Sequence, residues 1–297
     1  RLPAGPPQGQ ATAPSGGSAD PQGSSVGAPR VYMRSLATRE AGSEISQALP
    51  HAIAAAKVAG FDVVDAPGQF VHLRIAEGAD FILRRPFSVY RAGAGRLEIL
   101  YQVVGRGTRV LAEAAPGAEM DLIGPLGRGW WIPEGTAHAL VVAGGLGAAP
   151  MGMLVEELAR RGVAVTLAHG APTADRLLAR ALFEATCRRT EVATDDGSAG
   201  TCGFVTALTD GLIARDRPDV VYVCGPEPMQ RIVAAQAAAA GVPCQVSLER
   251  LMACGVGACL SCVVSTVHGR KRACVDGPVF DAAEVLWHPS EDPEAGE

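Results

Sequence analysis

Apolar and polar residues alternate in short segments over the first half of the chain, which predicts β-structure. The segments 70–75, 81–83 and 97–103 are interpreted as strands on this pattern, and Gly- and Pro-containing turns separate them. Short strands at this spacing are typical of an antiparallel barrel or sandwich. The Ala-rich segment 46–60 fits a helix or a poor strand equally well, so its conformation stays open.

The pattern changes after residue 138, where continuous apolar runs are followed by helical periodicity. The run 139–143 suits a strand that is buried on both faces, and one apolar stripe of a helix begins at Met151. Further strands are predicted at 163–168, 220–223 and 244–248, and further helices at 173–185 and 230–240. Alternating β and α units predict a doubly wound parallel sheet with helices on both faces.

Four regions follow from these patterns. Residues 1–30 are rich in Gly and Pro and carry no aromatic residue, so they are predicted to form a disordered extension. A β-barrel domain is predicted over 31–134, an α/β domain over 135–247, and a small cysteine-rich domain with an acidic tail over 248–297. The uncharged stretch 135–155 contains glycines at 144, 145, 147 and 152 and a proline, so it is not expected to span a membrane.

Composition narrows the classes of function. The chain of 297 residues is 48% hydrophobic and 19% charged, which supports a sizeable core. Its net charge of −5 and the lack of a Lys/Arg stripe argue against nucleic-acid binding. No apolar signal segment is evident, so a cytoplasmic, reducing location is expected. Clustered cysteines in that setting indicate metal or redox ligands before disulfides.

Four of the eight cysteines carry the strongest signal in the sequence. Cys254, Cys259 and Cys262 follow the pattern C-x4-C-x2-C, and Cys274 follows after eleven intervening residues. This is the spacing of plant-type [2Fe–2S] clusters, in which four thiolates hold two irons. Structural zinc is the alternative, although it usually shows two separated C-x2-C pairs. The remaining cysteines (Cys187, Cys202, Cys224 and Cys244) are interpreted as small core or loop residues.

Two segments of the predicted barrel could bind phosphate. Arg85-Pro86-Phe87-Ser88 lies beside Arg84, and an arginine fork can hold a pyrophosphate, although a solvated arginine is an equally simple interpretation. The segment 105–108 (Gly-Arg-Gly-Thr) precedes a helical stretch, where Thr108 could cap the helix and free N–H groups would suit a phosphate.

Two loops of the predicted α/β domain could bind a dinucleotide. Gly144, Gly145 and Gly147 lie between a buried strand and a helix, and the segment 224–226 (Cys-Gly-Pro) ends a later strand. Ligands of doubly wound sheets bind beyond the carboxyl ends of the strands, so both loops are expected to face one crevice.

In this order, the motifs resemble the ferredoxin–NAD(P)+ reductase superfamily, and more narrowly the iron–sulfur electron transfer subunits of NAD-dependent dihydroorotate dehydrogenases. The resemblance covers about residues 62–287. It is carried by the segments 66–71, 84–89, 105–108, 123–127, 144–150, 224–226 and 248–280.

The resemblance implies cofactors and the residues that hold them. FAD would be bound by Arg85, Pro86, Phe87, Ser88, Leu100, Tyr101, Gln102, Gly107 and Thr108. A [2Fe–2S] cluster would be ligated by Cys254, Cys259, Cys262 and Cys274. NAD would lie in a cleft lined by Gly144, Gly145, Gly147, Cys224, Gly225 and Pro226.

The resemblance also implies a partner and an activity. An FMN-containing catalytic subunit would oxidise dihydroorotate in pyrimidine biosynthesis, in a heterotetramer with two copies of each chain. Electrons would pass through the cluster and FAD to NAD+, with no side chain of this chain acting as a catalyst. Lys271, Arg272 and Trp287 are candidates for the docking face, although each could equally be ordinary surface.

Two alternatives remain. The chain could be a reductase subunit of an NADPH–ferredoxin, sulfide dehydrogenase or hydrogenase type, or a zinc-stapled binding module without enzymatic activity. The choice of nucleotide is also open at the residue level, because Asp175 would suit a ribose hydroxyl whereas Arg176 would suit a 2′-phosphate. NAD is expected from the resemblance alone.

Overall fold

The computed structural model describes residues 66–76, 81–93, 95–115, 117–118 and 120–287, and the main chain alone of 30–38 and 51–58. Residues 1–29 of the predicted extension (1–30) and the acidic tail from residue 288 lie outside the described residues, whereas Arg30 is the first residue of a strand and not part of an extension. Among the described helices, none is both long and apolar enough to cross a bilayer.

Six strands form a closed barrel, which confirms the predicted architecture of the first half. They are β1 (Arg30–Thr38), β2 (His51–Val58), β3 (Phe70–Arg74), β4 (Arg85–Gly93), β5 (Arg96–Gln102) and β6 (Met120–Leu126). Their order around the barrel is β1-β2-β5-β4-β3-β6. The open segment 46–60 therefore supplies strand β2 over its described part. Alternate side chains of β3, β4 and β5 fill the barrel, among them Leu73, Val89 and Ile99.

The predicted strand at 81–83 is wrong. Ile82 and Leu83 are exposed, and the main-chain oxygens of Leu83 and Arg84 accept hydrogen bonds from the Arg85 guanidinium rather than from a neighbouring strand. Arg85 therefore begins strand β4 and does not follow a strand. A short helix, α1 (Arg106–Glu113), connects β5 to β6.

The second half is a seven-stranded sheet, as the alternating pattern predicts. Its strands are β7 (His138–Gly144), β8 (Ala164–Ala171), β9 (Arg189–Thr194), β10 (Thr201–Cys202), β11 (Val220–Cys224), β12 (Cys244–Ser247) and β15 (Val279–Asp281), in the order β10-β9-β8-β7-β11-β12-β15. All neighbours are parallel except β12 and β15. The helices are α2 (Gly152–Arg160), α3 (Arg180–Thr186), α4 (Thr206–Asp216) and α5 (Glu227–Ala239).

The predicted helix at 173–185 is divided in the structure. A 3₁₀ turn covers Ala174–Arg176, and α3 begins only at Arg180. Ala179 separates the two because its φ of 57° is left-handed and cannot continue a right-handed helix.

The cysteine-rich segment joins this sheet. It contains a hairpin of β13 (Val263–Thr266) and β14 (Gly269–Arg272), and then returns as β15 beside β12. Cys262 and Cys274 are buried in the same hydrophobic core as Val142 and Val246 of the parallel sheet. Half of the predicted cluster ligands are thereby held by the core of the α/β sheet.

Candidate iron–sulfur and nucleotide sites

A tight loop between β12 and β13 presents three of the four cysteines. Gly255 and Gly257 adopt φ values of +72° and +82°, which residues with a Cβ rarely take, so the chain can curl at these two points. The main-chain N–H groups of Val256 and Cys259 both donate to the Cys254 sulfur, at 3.4 Å. The loop therefore already directs donors at a ligand sulfur, as iron–sulfur sites do.

The fourth cysteine returns to the loop beside Cys262. Ala273 N donates to Cys262 O at 2.8 Å, which places Cys274 beside Cys262. Arg272 holds the turn closed, because its guanidinium donates to Gly257 O and to the Asp276 carboxylate. Arg272 thus supports the loop from within.

The four thiols stand as two pairs. Burial and the neighbouring Cys262 thiol raise the pKa of Cys274 to about 12. Cys259 is exposed, and hydrogen bonding to Ser261, together with contact to Cys254, lowers its pKa to about 6. Cys254 also acts on the pKa of Cys274, which links the two pairs.

This arrangement fits a binuclear centre. A mononuclear zinc site needs four donors around one ion, whereas a [2Fe–2S] cluster takes two thiolates on each iron. Cys254 with Cys259 and Cys262 with Cys274 supply those two pairs.

A buried histidine lies directly under the loop. His72 of β3 has no exposed surface, and a Cβ placed on Gly255 would come within 2.5 Å of its Nδ1. Burial and the nearby Arg84 lower the pKa of His72 to about 4, so its ring is neutral. Sequence analysis missed this residue, since a lone histidine in an alternating strand carries no motif.

The two predicted phosphate-binding segments meet in space. A Cβ placed on Gly107, in the first turn of α1, would lie 3.6 Å from Arg85 Nε. A guanidinium beside the N-terminus of a helix suits a pyrophosphate. Thr108 is not the N-cap: Gly105 is, and the Thr108 hydroxyl accepts hydrogen bonds from the N–H groups of Val104 and Gly105.

The other predicted FAD residues divide between the two faces of the barrel wall. Phe87 and Tyr101 point inward and stack edge to face, with ring centroids 5.8 Å apart. Leu100 points outward and packs with the core of the α/β half. Pro86, Ser88 and Gln102 are half-buried and alternate with the inward residues, so they share the outward face.

Tyr90 and Trp130 fix this outward face against the second nucleotide site, and sequence analysis missed both. Trp130 Nε1 donates to Pro150 O at 3.2 Å. Tyr90 packs so closely on Gly152 that a Cβ there would lie 2.6 Å from its carbonyl oxygen. Large aromatic residues without a motif gave no signal for this role.

The two loops predicted to line a nucleotide cleft are adjacent. Ala143 and Cys224 are partners in the parallel pairing of β7 and β11, so the loops that follow them leave the same edge of the sheet. A Cβ on Gly147 would lie 2.2 Å from Cys224 O, and one on Gly225 would lie 3.0 Å from the Gly144 Cα. Gly145 has a φ of +54° and open space around it. Pro226 precedes α5 as its N-cap.

Two groups near this edge bear on what it binds. Burial raises the pKa of Cys224 to about 12, so the thiol stays protonated and does not act as a nucleophile. Gln230 is buried, and its Nε2 donates to Gly225 O at 2.7 Å, while its Oε1 has no hydrogen-bond partner among the residues that the structure describes. The edge is thus shaped by small residues and polar amides, which suit a neutral nicotinamide.

Asp175 and Arg176, the two residues after β8 that favour different nucleotides, form an ion pair with each other. Arg176 Nε lies 3.7 Å from the Asp175 carboxylate, so the arginine is not a free cation. Ala174 N donates to Ser198 Oγ at 2.8 Å, and Ser198 in turn binds Asp196. A second carboxylate therefore faces this loop.

Known proteins are similar to this chain over the regions that contain these candidate sites. Residues 249–286 match a family described as the iron–sulfur cluster binding domain of dihydroorotate dehydrogenase B, and residues 141–235 match the oxidoreductase NAD-binding domain family. The "Dihydroorotate dehydrogenase B (NAD(+)), electron transfer subunit" of Desulforamulus reducens is 43% identical over 227 residues, which cover 74% of this chain and 87% of that protein. The protein of the same name from Bacillus caldolyticus is 42% identical, with 74% and 86% covered.

Solved structures share the fold. A chain of the NADH-dependent reduced ferredoxin–NADP oxidoreductase, a structure described in terms of flavin-based electron bifurcation, is similar with a TM-score of 0.75 and 31% identity, covering 86% of this chain and 90% of that one. The ferredoxin NADP+ reductase of Neisseria gonorrhoeae, with bound FAD and NADP, has a TM-score of 0.59 at 18% identity, covering 71% of this chain and 91% of that one. The latter is a likeness of fold alone.

Proposed function

This chain belongs to the family of electron transfer subunits of dihydroorotate dehydrogenase B (NAD(+)), and from that membership we propose that it passes electrons from dihydroorotate oxidation to NAD+. The observation that carries the proposal is the pairing of the four thiols, together with the contact between Gly255 of their loop and His72 of β3, the strand that pairs with the Arg85 segment. Bound FAD exchanges both single electrons and hydride, so it can join a one-electron cluster to a two-electron nicotinamide.

The barrel residues hold FAD in this proposal. Arg85 and the first turn of α1, at Gly107 and Thr108, bind the pyrophosphate by charge and N–H donation. Pro86, Ser88, Leu100 and Gln102 line the flavin from the outward face. Phe87 and Tyr101 face the barrel interior, so they offer the flavin only their main chains.

The sheet edge holds NAD. Gly144, Gly145 and Gly147 let the main chain approach the nucleotide closely, and Cys224, Gly225 and Pro226 lie beside them. The Asp175–Arg176 ion pair and Asp196 oppose a 2′-phosphate because they leave carboxylate charge at the loop beyond β8. This charge favours NAD over NADP.

The partner docks over the cysteine loop. Leu251 and Leu260 are 89% and 62% exposed, and Cys259 is open to solvent between them in sequence. Exposed apolar side chains around a ligand sulfur suit a stable protein interface that brings a second redox centre close. We place the FMN-containing catalytic subunit there, in a heterotetramer with two copies of each chain. Trp287 packs on the core and Lys271 is half-buried. The exposed apolar surface formed by Leu251 and Leu260 is therefore a better candidate for the docking face than these two residues.

The regions of the chain divide accordingly. Residues 31–134 form the FAD-binding barrel, 135–247 the NAD-binding α/β domain, and 248–297 the cluster-binding region. The cluster-binding region shares its β15 with the α/β sheet.

Reconstitution tests this function. The chain is coexpressed with an FMN-containing dihydroorotate dehydrogenase subunit, purified anaerobically, and assayed for NADH formation on addition of dihydroorotate. We expect a coloured complex with flavin and iron–sulfur absorbance and dihydroorotate-dependent NADH. A complex that carries all cofactors and forms no NADH would contradict the proposal.

A second candidate rests on the ferredoxin-linked structural relative at 31% identity. In that case the same preparation would reduce NADP+ from reduced ferredoxin and ignore dihydroorotate. The two electron donors, tested side by side, separate the candidates.

A further inference from the structure

His72 is the buried polar side chain that the proposed function leaves unexplained. Its side chain has no exposed surface, and neither ring nitrogen has a well-aligned hydrogen-bond partner among the described residues. An unpartnered buried polar group destabilises the fold, so this position calls for an explanation. Phe70 meets the ring edge to face at 6.3 Å, which accounts for its packing and not for its nitrogens.

On one side, His72 meets the cysteine loop. A Cβ on Gly255 would lie 2.5 Å from Nδ1 and 3.0 Å from Cε1, so only glycine lets the loop approach this closely. The main chain of Cys254 is also near enough to raise the pKa of the ring, against the larger lowering by burial. The nitrogens thus lie against the first predicted cluster ligand and the residue after it.

On the other side, His72 belongs to the flavin strand pair. It is the cross-strand partner of Pro86 in the antiparallel pairing of β3 and β4, and Leu73 is the partner of Arg85. One side chain therefore spans from the segment proposed to hold FAD to the loop proposed to hold the cluster.

We propose, on the basis of the proposed function, that His72 is a positioning residue for the [2Fe–2S] centre. Its ring N–H is directed at the Cys254–Gly255 segment and holds that end of the loop at a fixed place against the FAD-binding strand. Without this polar ring, the Cys254 thiolate is no longer held at a fixed position relative to the barrel, and the environment of the cluster changes.

The α/β sheet supplies a matched control. His169 of β8 also has no exposed surface, neither of its nitrogens finds a hydrogen-bond partner in the described part of the chain, and its ring meets Phe183 edge to face at 5.4 Å. Burial lowers its pKa to about 4, as for His72. The two histidines differ in what they face, since His169 lies in the nucleotide sheet among Phe183, Arg180 and Glu184.

The experiment compares His72→Phe with His169→Phe in the full chain, purified anaerobically with its cofactors. The readouts are the electron paramagnetic resonance spectrum of the reduced cluster, its midpoint potential, and the rate of iron loss to a chelator. We expect His72→Phe to alter the spectrum, lower the potential and speed iron loss about tenfold. This factor is at the low end of the effect on metal affinity of residues that hold the ligands of a metal site in place. His169→Phe should leave all three as in the wild type.

Each other outcome overturns the proposal. A wild-type spectrum, potential and iron-loss rate in His72→Phe removes the positioning role, and equal changes in both variants mark a general loss of packing. If His72→Phe does not retain FAD, the smaller His72→Leu takes its place under the same criteria. If neither retains FAD while His169→Phe does, His72 serves the barrel and not the cluster. Failure of the proposed function would appear instead in the wild-type chain, as absent cluster or absent dihydroorotate-dependent activity.

Discussion

Two adjacent arginines at the start of β4 do different work, although their side chains are chemically identical. Arg84 binds the main-chain oxygen of Asp121 at 2.8 Å and also contacts its carboxylate, so it ties β4 to β6. Arg85 bonds only to nearby main-chain oxygens and lies beside the first turn of α1. Arg84 therefore serves the barrel, which leaves Arg85 as the arginine that we propose for the FAD phosphates.

Replacing each arginine separates these roles. We expect Arg85→Gln to weaken FAD binding about 10- to 100-fold, since a hydrogen bond to a charged group contributes about 1.5–3 kcal/mol. Its thermal unfolding temperature without FAD should stay near that of the wild type. Arg84→Gln should do the reverse, lowering the unfolding temperature and leaving the FAD dissociation constant nearly unchanged. Fluorescence titration of the flavin-free protein measures both constants, and equal affinities for Arg85→Gln and the wild type would refute the assignment.

At the scale of elements, the nucleotide cleft depends on the contact between the loops after β7 and β11. Gly147 lies against the carbonyl oxygen of Cys224, with room for a hydrogen and not for a methyl group. The proposed cleft therefore forms only where the two loops touch. The small residues of either loop, taken alone, could be explained by packing.

Gly147→Ala tests that contact. Its Cβ would lie 2.2 Å from Cys224 O, so the loops must separate, and NADH-dependent dye reduction should fall about 10- to 100-fold because the nicotinamide is displaced from the flavin. FAD content should be unchanged. Gly211→Ala on α4 is the control, since a Cβ there meets no atom within 4 Å and full activity is expected. An active Gly147→Ala variant would contradict the proposed cleft.

Strands and helices with a strong periodic pattern of apolar residues could be predicted from the sequence. Local breaks in such an element could not. The run at 139–143 and the stripe from Met151 correspond to β7 and α2. The prediction of a single helix at 173–185 was wrong because Ala179 adopts a left-handed conformation, and nothing in the pattern of apolar and polar residues indicates this. The cysteine spacing predicted the ligand set because it is local, whereas His72 reaches the loop across 183 positions, through tertiary contacts alone.

At the scale of the whole molecule, the barrel, the sheet and the cysteine loop share their packing. Cys262 and Cys274 lie in the core of the α/β sheet, and the other end of the loop lies on the barrel at His72. Trp130 and Tyr90 hold the barrel against the loop after β7. The three proposed cofactor sites are thus held relative to one another by shared packing, in which Trp130 and Tyr90 take part without being assigned to any cofactor.

Buried histidine makes the stability of the molecule depend on pH. His169 has a pKa of about 4 when folded, against 6.5 when unfolded, because burial disfavours its charge; Arg180 lowers the pKa further and Glu184 raises it. The unfolded chain therefore binds the additional proton between pH 6.5 and 4. Stability is full above pH 6.5 and falls as pH decreases through this window, by about 3 kcal/mol for this group. Urea unfolding at pH 7 and pH 4.5 should show a smaller loss for His169→Phe, and an identical loss in both proteins would refute this origin.

In the proposed function, the four paired thiols hold the centre that connects dihydroorotate oxidation to NAD+. The most direct measurement is the electron paramagnetic resonance spectrum of the intact complex, frozen after anaerobic addition of dihydroorotate without NAD+. We predict a reduced [2Fe–2S] signal that disappears when NAD+ is added, persists in the control Cys244→Ser, and is missing in Cys274→Ser although dihydroorotate still reduces a dye through the partner. Rapid NADH formation by the Cys274→Ser complex, or a wild-type complex with no such signal, would contradict the account.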